Sequence, residues 1–217
     1  MSIKAALDQQ KENYVTAVPE DVQSTIFQHV QELQQSDLVS GLKEGATAPN
    51  FTLPDPLGGQ VTLYDELAKG PVILTFYRGS WCPFCNIQLR GYQQALPEFE
   101  KLGGQLIAIS PQSPDNSLTQ KEKDELEFKV LSDADGQVTD QYGILYELPD
   151  NIQDIYTGTF GLDLTVFNNT ERWILPVPAT FIIDREGIVR LSHVDADYTN
   201  RLDIQDILNV LHDIKTK

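Results

Sequence analysis

The sequence lacks any apolar run long enough to cross a membrane. A spanning helix needs about 18 or more consecutive, mostly apolar residues, and no stretch of the 217-residue chain approaches that length. The first residues, MSIKAALDQQKENY, also lack the apolar segment and the small-residue cleavage site of a secretory signal. We therefore expect a cytoplasmic protein without a membrane-spanning segment, and its 41% of apolar residues are enough for a folded core.

Basic residues are scarce relative to acidic ones. The chain has 16 Lys and Arg against 32 Asp and Glu, which gives a formal net charge of −16 at pH 7. The basic residues are scattered along the chain and form no local patch. Because a field of this sign repels phosphate groups, we expect neither nucleic acid nor an anionic membrane surface as a partner.

Only two cysteines occur, Cys82 and Cys85. A secreted domain built on disulfides would need more of them, spread along the chain. A structural zinc site would need four ligands, and the three histidines, His29, His193 and His212, are scattered. The spacing of the cysteines therefore indicates a redox pair without a metal, with half a metal site and two inert buried thiols as the weaker alternatives.

Residues 1–40 form a predicted helical extension in front of the main domain. Pro19, followed by two acidic residues, is typical of a helix start, and Val22, Ile26 and Val30 then mark one helical face. We expect the extension to cover the domain, with a dimer contact as the alternative interpretation.

The pattern from residue 41 to residue 217 predicts one α/β domain with a mixed central sheet flanked by helices. Apolar runs indicate buried strands, helical patterns alternate with them, and a turn signal joins the last two strands as a hairpin. The aromatic-rich segment 144–177 is too long for a simple loop, and we expect short helical turns near the functional face. The predicted strands are 72–77, 105–110, 128–133, 179–184 and 188–193, and the predicted helices are 82–102, 113–127 and one that starts near Asp203.

The cysteine pair lies between a predicted buried strand and a predicted helix, in the segment WCPFC. Cys82 then lies at the helix N-terminus with Pro83 in the first helical position, where free backbone N–H groups and the helix dipole favour a thiolate. Cys85 lies one turn further on and is expected to be more buried. We expect Cys82 to be the attacking sulfur with the lower pKa and Cys85 to be the resolving sulfur, with Arg78 adding positive potential.

A second motif, PVPAT at 176–180, stands just before a predicted strand. Proline is tolerated as the first residue of a strand, and a proline opposite a redox loop can also present backbone groups to the sulfurs. We expect the Val177–Pro178 bond to be cis, which is the minority form for bonds before proline.

Six segments of the main domain match the motifs of one known family. They are GATAPNFTLPD (45–55), FYRGSWCPFCNIQLR (76–90), LIAISPQSP (106–114), FKVLSDADGQV (128–138), YGI (142–144) and PVPATFIIDREGIVR (176–190). Together they resemble the peroxiredoxin-like branch of the alkyl hydroperoxide reductase and thiol-specific antioxidant (AhpC/TSA) family, which has the thioredoxin-like fold. By position Cys82 resembles the peroxidatic cysteine of that family, and the supporting residues are Arg78, Ser80, Trp81 and Pro178.

The resemblance implies a thiol-dependent peroxidase without a metal, haem or flavin cofactor. In that activity the Cys82 thiolate attacks hydrogen peroxide or an organic hydroperoxide and becomes a sulfenic acid. Cys85 then condenses with it to a disulfide, which a thioredoxin- or glutathione-type donor reduces. A homodimer is one assembly that the sequence allows.

The chain departs from the family pattern at two positions. Gly79 stands three residues before the first cysteine, where the family has Thr or Ser, and Pro178 stands where the family has an arginine. Arg78, Arg90 or Arg172 is the expected substitute for that arginine. Because the Cys-x-x-Cys spacing is that of thioredoxins and glutaredoxins, a protein disulfide oxidoreductase is the alternative function, and a redox-sensing interaction protein is a third.

Overall fold

The structure is a computed structural model that describes residues 3–36 and 39–216. Its central feature is a five-stranded mixed sheet. The strands are β1 (Thr52–Pro54), β2 (Gln60–Thr62), β3 (Val72–Phe76), β4 (Gln105–Ser110), β5 (Lys129–Ser132), β6 (Leu145–Glu147), β7 (Ile174–Pro176), β8 (Ala179–Ile183) and β9 (Val189–Val194). The helices are α1 (Ile3–Ala17), α2 (Glu20–Gln35), α3 (Leu63–Leu67), α4 (Pro83–Lys101), α5 (Pro114–Lys123), α6 (Gln137–Gln141), α7 (Asp150–Gly158), α8 (Leu164–Asn168) and α9 (Ile204–Lys215).

The order of the strands in the main sheet is β5-β4-β3-β8-β9. The strands β3, β4 and β5 are parallel, because helices connect them, whereas β8 is antiparallel to both β3 and β9. This arrangement confirms the predicted mixed central sheet flanked by helices. None of the helices within the described ranges is long and apolar enough to cross a membrane.

Strand β3 is buried along its whole length because both faces of the sheet are covered. Ile73 packs with α1, α4 and α9 on one face, whereas Val72, Leu74 and Phe76 pack with the β1–β2 hairpin and α6 on the other. The alternation has the two-residue period of a strand. Strand β3 therefore ends inside the core, directly before the loop that leads to Cys82.

The two helices of the N-terminal extension lie against the main domain. Helix α1 packs on α4 so closely that a Cβ at Gly91 would lie 2.3 Å from the side chain of Ile3, so a larger residue at this position would force Ile3 to move. Helix α2 packs on α7, where Ile26 joins a buried cluster with Ile152 and Tyr156. Both helices thereby border the region around the start of α4.

Segment 144–177 forms β6, α7, α8 and β7 in that order. The predicted short helices are present as α7 and α8. The structure also contains an antiparallel ladder between β6 and β7, in which Leu145 pairs with Pro176 and Glu147 with Ile174. The sequence analysis did not predict this ladder. Runs of three residues are too short to show the alternation that identifies a strand.

Candidate active site

Cys82 lies at the start of α4, where the loop after β3 enters the helix. It is the N-cap residue, with φ −89° and ψ 111°, and Pro83 occupies the first helical position. Its N–H donates to the carbonyl of Gly79 at 3.1 Å, and its own carbonyl accepts from the N–H of Asn86 at 3.1 Å. The predicted position of Cys82 at the helix N-terminus is therefore confirmed, and both cysteines are free thiols.

The two cysteines differ in access. Cys82 lines a cavity of about 320 Å³, whereas Cys85 is fully buried and does not belong to the cavity wall. The wall is mostly aromatic and apolar, and it consists of Tyr14, Val18, Ile26, Arg78, Trp81, Cys82, Pro83, Phe84, Tyr156, Phe160, Gly161, Leu162 and Tyr198. Of the two cysteines, Cys82 is therefore the one that borders the space open to a small molecule.

Arg78 brings a buried positive charge to this cavity, with 5% of its surface exposed. It donates a hydrogen bond to the hydroxyl of Tyr156. Its guanidinium lies over the rings of Tyr198 and Trp81, at 4.1 Å and 4.9 Å from the ring centroids. No ion pair among the described residues includes Arg78. Although burial favours deprotonation, the nearby sulfur of Cys82 and the tyrosines raise the pKa of Arg78, so it remains a cation.

The two thiols are hydrogen-bonded to each other and titrate as a pair. Burial raises the pKa of Cys82, and the hydrogen bond to Cys85 and the charge of Cys85 raise it further. Burial also acts to raise the pKa of Cys85, but the hydrogen bond from Cys82 and the charges of Arg201 and Arg78 lower it to about 5. When the pair loses its first proton, the negative charge is therefore favoured on Cys85. The lowered pKa therefore belongs to Cys85 and not, as predicted, to Cys82, because the hydrogen bond from Cys82 and the charges of Arg201 and Arg78 favour the inner thiolate.

Ser80 contributes its backbone to the site. Its N–H donates to Oε1 of Gln112 at 3.0 Å, and its carbonyl accepts from Nδ2 of Asn86 at 2.7 Å. Nε2 of Gln112 in turn donates to Tyr77 Oη and to Gln120 Oε1, both at 2.9 Å. This buried amide network fixes the loop between β3 and α4, and the sequence analysis missed it.

Trp81 occupies the space above Gly79. Gly79 has φ +146°, and a Cβ at this position would lie 2.5 Å from Nε1 of Trp81. The ring of Trp81 also packs edge-on against Tyr156, with centroids 5.5 Å apart. The departure from Thr or Ser at position 79 thus has a physical reason, because the indole fills the volume that such a side chain would need.

The prediction of a cis bond before Pro178 is wrong, since the described part of the chain contains no cis peptide. Val177 donates its N–H to the carbonyl of Ile144 at 2.8 Å, and the carbonyl of Pro178 accepts from Asp195 at 3.4 Å. The backbone here is extended and engaged by its neighbours between β7 and β8. Pro178 is buried but does not belong to the cavity wall that contains Cys82.

Among the arginines proposed as substitutes for the family's arginine, the structure brings only Arg78 to the cavity. Arg90 is exposed and donates to the carbonyl of Asn86, and Arg172 pairs with Glu147. A different arginine, Arg201, contacts the pair instead.

The sequence analysis missed three residues of this site. Nη2 of Arg201 donates to Sγ of Cys85 at 3.4 Å, and Tyr156 and Tyr198 enclose Arg78. Arg201 stands outside every motif, so no sequence signal identifies it, whereas the aromatic content of segment 144–177 was a weak signal for Tyr156. Within the described ranges no group of three or more His, Cys, Asp or Glu could hold a metal ion.

Fold and site together define a class of protein, a thioredoxin-like α/β domain with a dithiol at the N-terminus of a helix. The model of the AhpC/TSA family matches residues 45–192. The chain therefore belongs to the AhpC/TSA family, and the resemblance carried by its motifs is confirmed.

Several known proteins are similar to this chain. Peroxiredoxin Bcp of Escherichia coli (strain K12) is 38% identical over 103 residues, which are 48% of this chain and 65% of that protein. The chloroplastic peroxiredoxin Q of Sedum lineare is 26% identical over 183 residues, which are 84% of this chain and 85% of that protein. The match thus spans just under two thirds of the length of the Bcp relative.

A solved structure with the same fold is the crystal structure of peroxidoxin BcpB from Mycobacterium tuberculosis. It has a TM-score of 0.63 and 24% identity, and the match covers 80% of this chain and 98% of that one. The reduced 2-Cys peroxiredoxin of Plasmodium vivax has a TM-score of 0.62 and 20% identity, over 81% of this chain and 83% of that one. These likenesses confirm the predicted thioredoxin-like fold.

Proposed function

We propose that this chain is a thiol-dependent peroxidase that reduces a hydroperoxide through Cys82 and Cys85. The observation that carries the proposal is that Cys82 lines an aromatic cavity beside Arg78, a buried cation without an ion-pair partner among the described residues. Such a cation can stabilise the anions that form when a sulfur attacks a peroxide. The relatives named peroxiredoxin support the same activity.

In the first step the sulfur of Cys82 attacks one oxygen of the hydroperoxide. The hydrogen bond between the two cysteines gives the proton of Cys82 a route to the sulfur of Cys85, so that Cys82 becomes a thiolate as it attacks. The S–O bond forms while the O–O bond breaks. Water or an alcohol leaves after taking a proton from solvent, and Cys82 becomes a sulfenic acid.

Two N–H groups support the binding of the peroxide oxygens. Nε of Arg78 and Nε1 of Trp81 are buried and have no hydrogen-bond acceptor among the described residues. Both residues line the cavity together with Cys82. Buried donors are nearly always satisfied by protein, water or ligand. In this proposal Nε of Arg78 and Nε1 of Trp81 bind the hydroperoxide, because Gly79 has no hydroxyl that could do so.

In the second step Cys85 releases the proton that it received from Cys82 and attacks the sulfenic sulfur, and the disulfide forms as hydroxide leaves and takes up that proton. The two cysteines lie one turn apart at the start of α4, so the helix need not unwind. A thioredoxin- or glutathione-type thiol then attacks the disulfide at Cys82, the sulfur that faces the cavity. The cytoplasm, where such thiols keep cysteines reduced, suits this cycle.

The helical extension 1–40 and the domain 41–217 both contribute to the site in this proposal. Tyr14 and Val18 come from α1 and the residue after it, Ile26 comes from α2, and all three line the cavity. A cavity of about 320 Å³ has room for an organic hydroperoxide as well as for hydrogen peroxide. The homodimer stays a prediction.

The test is peroxide consumption by the reduced protein with a dithiol as electron donor. We expect steady turnover by the wild type, no turnover by Cys82→Ser, and a single, slower oxidation event per chain by the matched variant Cys85→Ser, which lacks the sulfur that accepts the proton of Cys82. If Cys85→Ser blocks the first oxidation while Cys82→Ser allows it, the roles of the cysteines are reversed. Reduction of an insulin-type disulfide without peroxide consumption would instead support a protein disulfide oxidoreductase, and the absence of both activities would favour a redox-sensing role.

A further inference from the structure

Arg201 contacts the inner cysteine from a part of the chain that carries no motif. It lies just before α9, and its Nη2 donates to Sγ of Cys85 at 3.4 Å. Its other terminal nitrogen, Nη1, donates to the backbone carbonyls of Tyr198 and Asn200. These carbonyls fix the guanidinium against the sulfur without neutralising its charge.

The charge of Arg201 has no carboxylate partner in the described part of the chain. The sulfur that it contacts is fully buried and lies outside the cavity wall. A buried thiolate is costly unless a cation balances it, and the half-buried Arg201 is placed to do so. The thiolate of Cys85 is the anion that this arrangement can supply.

Arg78 and Arg201 approach the cysteine pair on different sides. Arg78 lines the cavity together with Cys82, whereas Arg201 is absent from the cavity wall and contacts Cys85. Both charges act on both sulfurs, but the side chains of the two arginines stand at the sites of different chemical steps. Arg78 is next to the sulfur that meets peroxide, and Arg201 is next to the sulfur that closes and reopens the disulfide.

We infer that Arg201 is a catalytic residue of the disulfide steps, in which it stabilises the thiolate of Cys85 both as nucleophile and as leaving group. This role rests on the proposed peroxidase cycle. When the disulfide closes, Cys85 releases the proton that it took from Cys82, the S–S bond forms, the S–O bond of the sulfenic acid breaks, and the released proton is taken up by the departing hydroxide. When the disulfide is reduced, the donor thiolate bonds to Cys82 and the electron pair of the broken S–S bond stays on Cys85.

The test uses the full chain with Arg201→Gln and Arg201→Lys. Arg185→Gln is the matched control, because Arg185 also donates to a backbone carbonyl, that of Ala68 at 2.8 Å, but contacts neither cysteine. One arm adds one equivalent of hydrogen peroxide to the reduced protein and follows thiol, sulfenic acid and disulfide by rapid quenching, alkylation and mass spectrometry. A second arm forms the disulfide with a chemical oxidant and measures its reduction by dithiothreitol.

We expect Arg201→Gln to slow disulfide formation about tenfold more than it slows the oxidation of Cys82. Without the charge-assisted contact a smaller fraction of Cys85 is present as thiolate. The higher nucleophilicity of the remaining thiolate offsets only part of that loss. Sulfenic acid then accumulates and proceeds to sulfinic acid. Reduction of the preformed disulfide slows as well, since Cys85 becomes a poorer leaving group. Arg201→Lys keeps the charge but not the planar guanidinium, so its rates are expected to lie between those of the wild type and of Arg201→Gln. Arg185→Gln is expected to have the rates of the wild type.

The role of Arg201 would be overturned if a folded Arg201→Gln protein formed and reduced its disulfide at wild-type rates. It would also be overturned if the variant slowed the oxidation of Cys82 as much as it slowed disulfide formation. If Arg201→Gln does not fold, as measured by circular dichroism, Arg201→Lys carries the test, and wild-type rates in that variant in both arms would overturn it. A wild type that does not react with peroxide would refute the proposed peroxidase. The second arm would still test Arg201, because it uses no peroxide.

Discussion

Restoring a side chain at position 79, as other family members have, is expected to damage this protein. A Cβ at Gly79 would lie 2.5 Å from Nε1 of Trp81, whereas non-bonded carbon atoms normally approach to about 3.5–4.0 Å. The indole must therefore move. Because Trp81 contacts Arg78, with 4.9 Å between the guanidinium carbon and the ring centroid, and precedes Cys82, the displacement reaches the reacting groups.

Two costs add in Gly79→Ala. A positive φ costs a residue with a Cβ about 1–2 kcal/mol, and displacing packed side chains costs about 1–3 kcal/mol. The free energy of unfolding is then expected to fall by about 2–5 kcal/mol, a large part of the 5–15 kcal/mol that is typical of proteins. At about 2–4 °C per kcal/mol for a chain of this size, the expected fall in Tm is about 4–20 °C.

The assay compares thermal unfolding and the rate of Cys82 oxidation in Gly79→Ala, Gly79→Thr and the control Gly45→Ala. Gly45 also has a positive φ, +86°, but no atom lies within 4 Å of its Cβ position, so the control measures backbone strain alone. We expect both substitutions at position 79 to lower Tm more than the control does and to slow the oxidation of Cys82. A Gly79→Thr protein as stable and as reactive as the wild type would refute the packing of Trp81 described above.

Three further predictions concern the cavity, the loop and the pH dependence. Ile26→Trp narrows the cavity, so KM is expected to rise more for a bulky organic hydroperoxide than for hydrogen peroxide, and an equal effect on both would contradict the place of α2 in the site. Gln112→Leu leaves the N–H of Ser80 without its acceptor and is expected to lower the free energy of unfolding in urea by about 1–3 kcal/mol and to slow the oxidation of Cys82. Because the pKa of Cys85 is lowered to about 5, its thiolate is present above that pH and lost below it. The rate of Cys82 oxidation is therefore expected to fall only as the pH drops through about 5, and a fall that begins near pH 8 or 9, about the pKa of a free thiol, would contradict the proton transfer to Cys85.

Local sequence patterns predicted much of the fold and, within the site, the position of Cys82 at the start of a helix. The run VILTF indicates a strand buried on both faces, and β3 fulfils this because alternate residues enter two separate clusters. The Cys82–Pro83 pair indicates a helix start, since capping depends only on neighbouring residues, and α4 begins at Pro83. These features are encoded within a few residues, so one sequence is enough to find them.

Features that depend on distant residues could not be predicted. Arg201 is 116 residues from Cys85 along the chain, and no pattern near either residue indicates that they meet. The same contact contributes, after the hydrogen bond from Cys82, to the lowered pKa of Cys85, which the helix N-terminus alone does not suggest. The absence of a cis bond before Pro178 likewise depends on the neighbouring strands β7 and β8. Of these two strands, the sequence predicted only β8.

The most direct test of the proposed peroxidase is the rate at which hydrogen peroxide oxidises Cys82 in the reduced wild-type protein. It is measured by rapid mixing, with the sulfenic acid and disulfide products located by mass spectrometry and free cysteine at the same pH as reference. Since one preorganised donor in an active site is worth about 10²–10³ in rate, we expect Cys82 to react at least about a hundredfold faster than free cysteine. A rate no faster than that of free cysteine would contradict the proposed function.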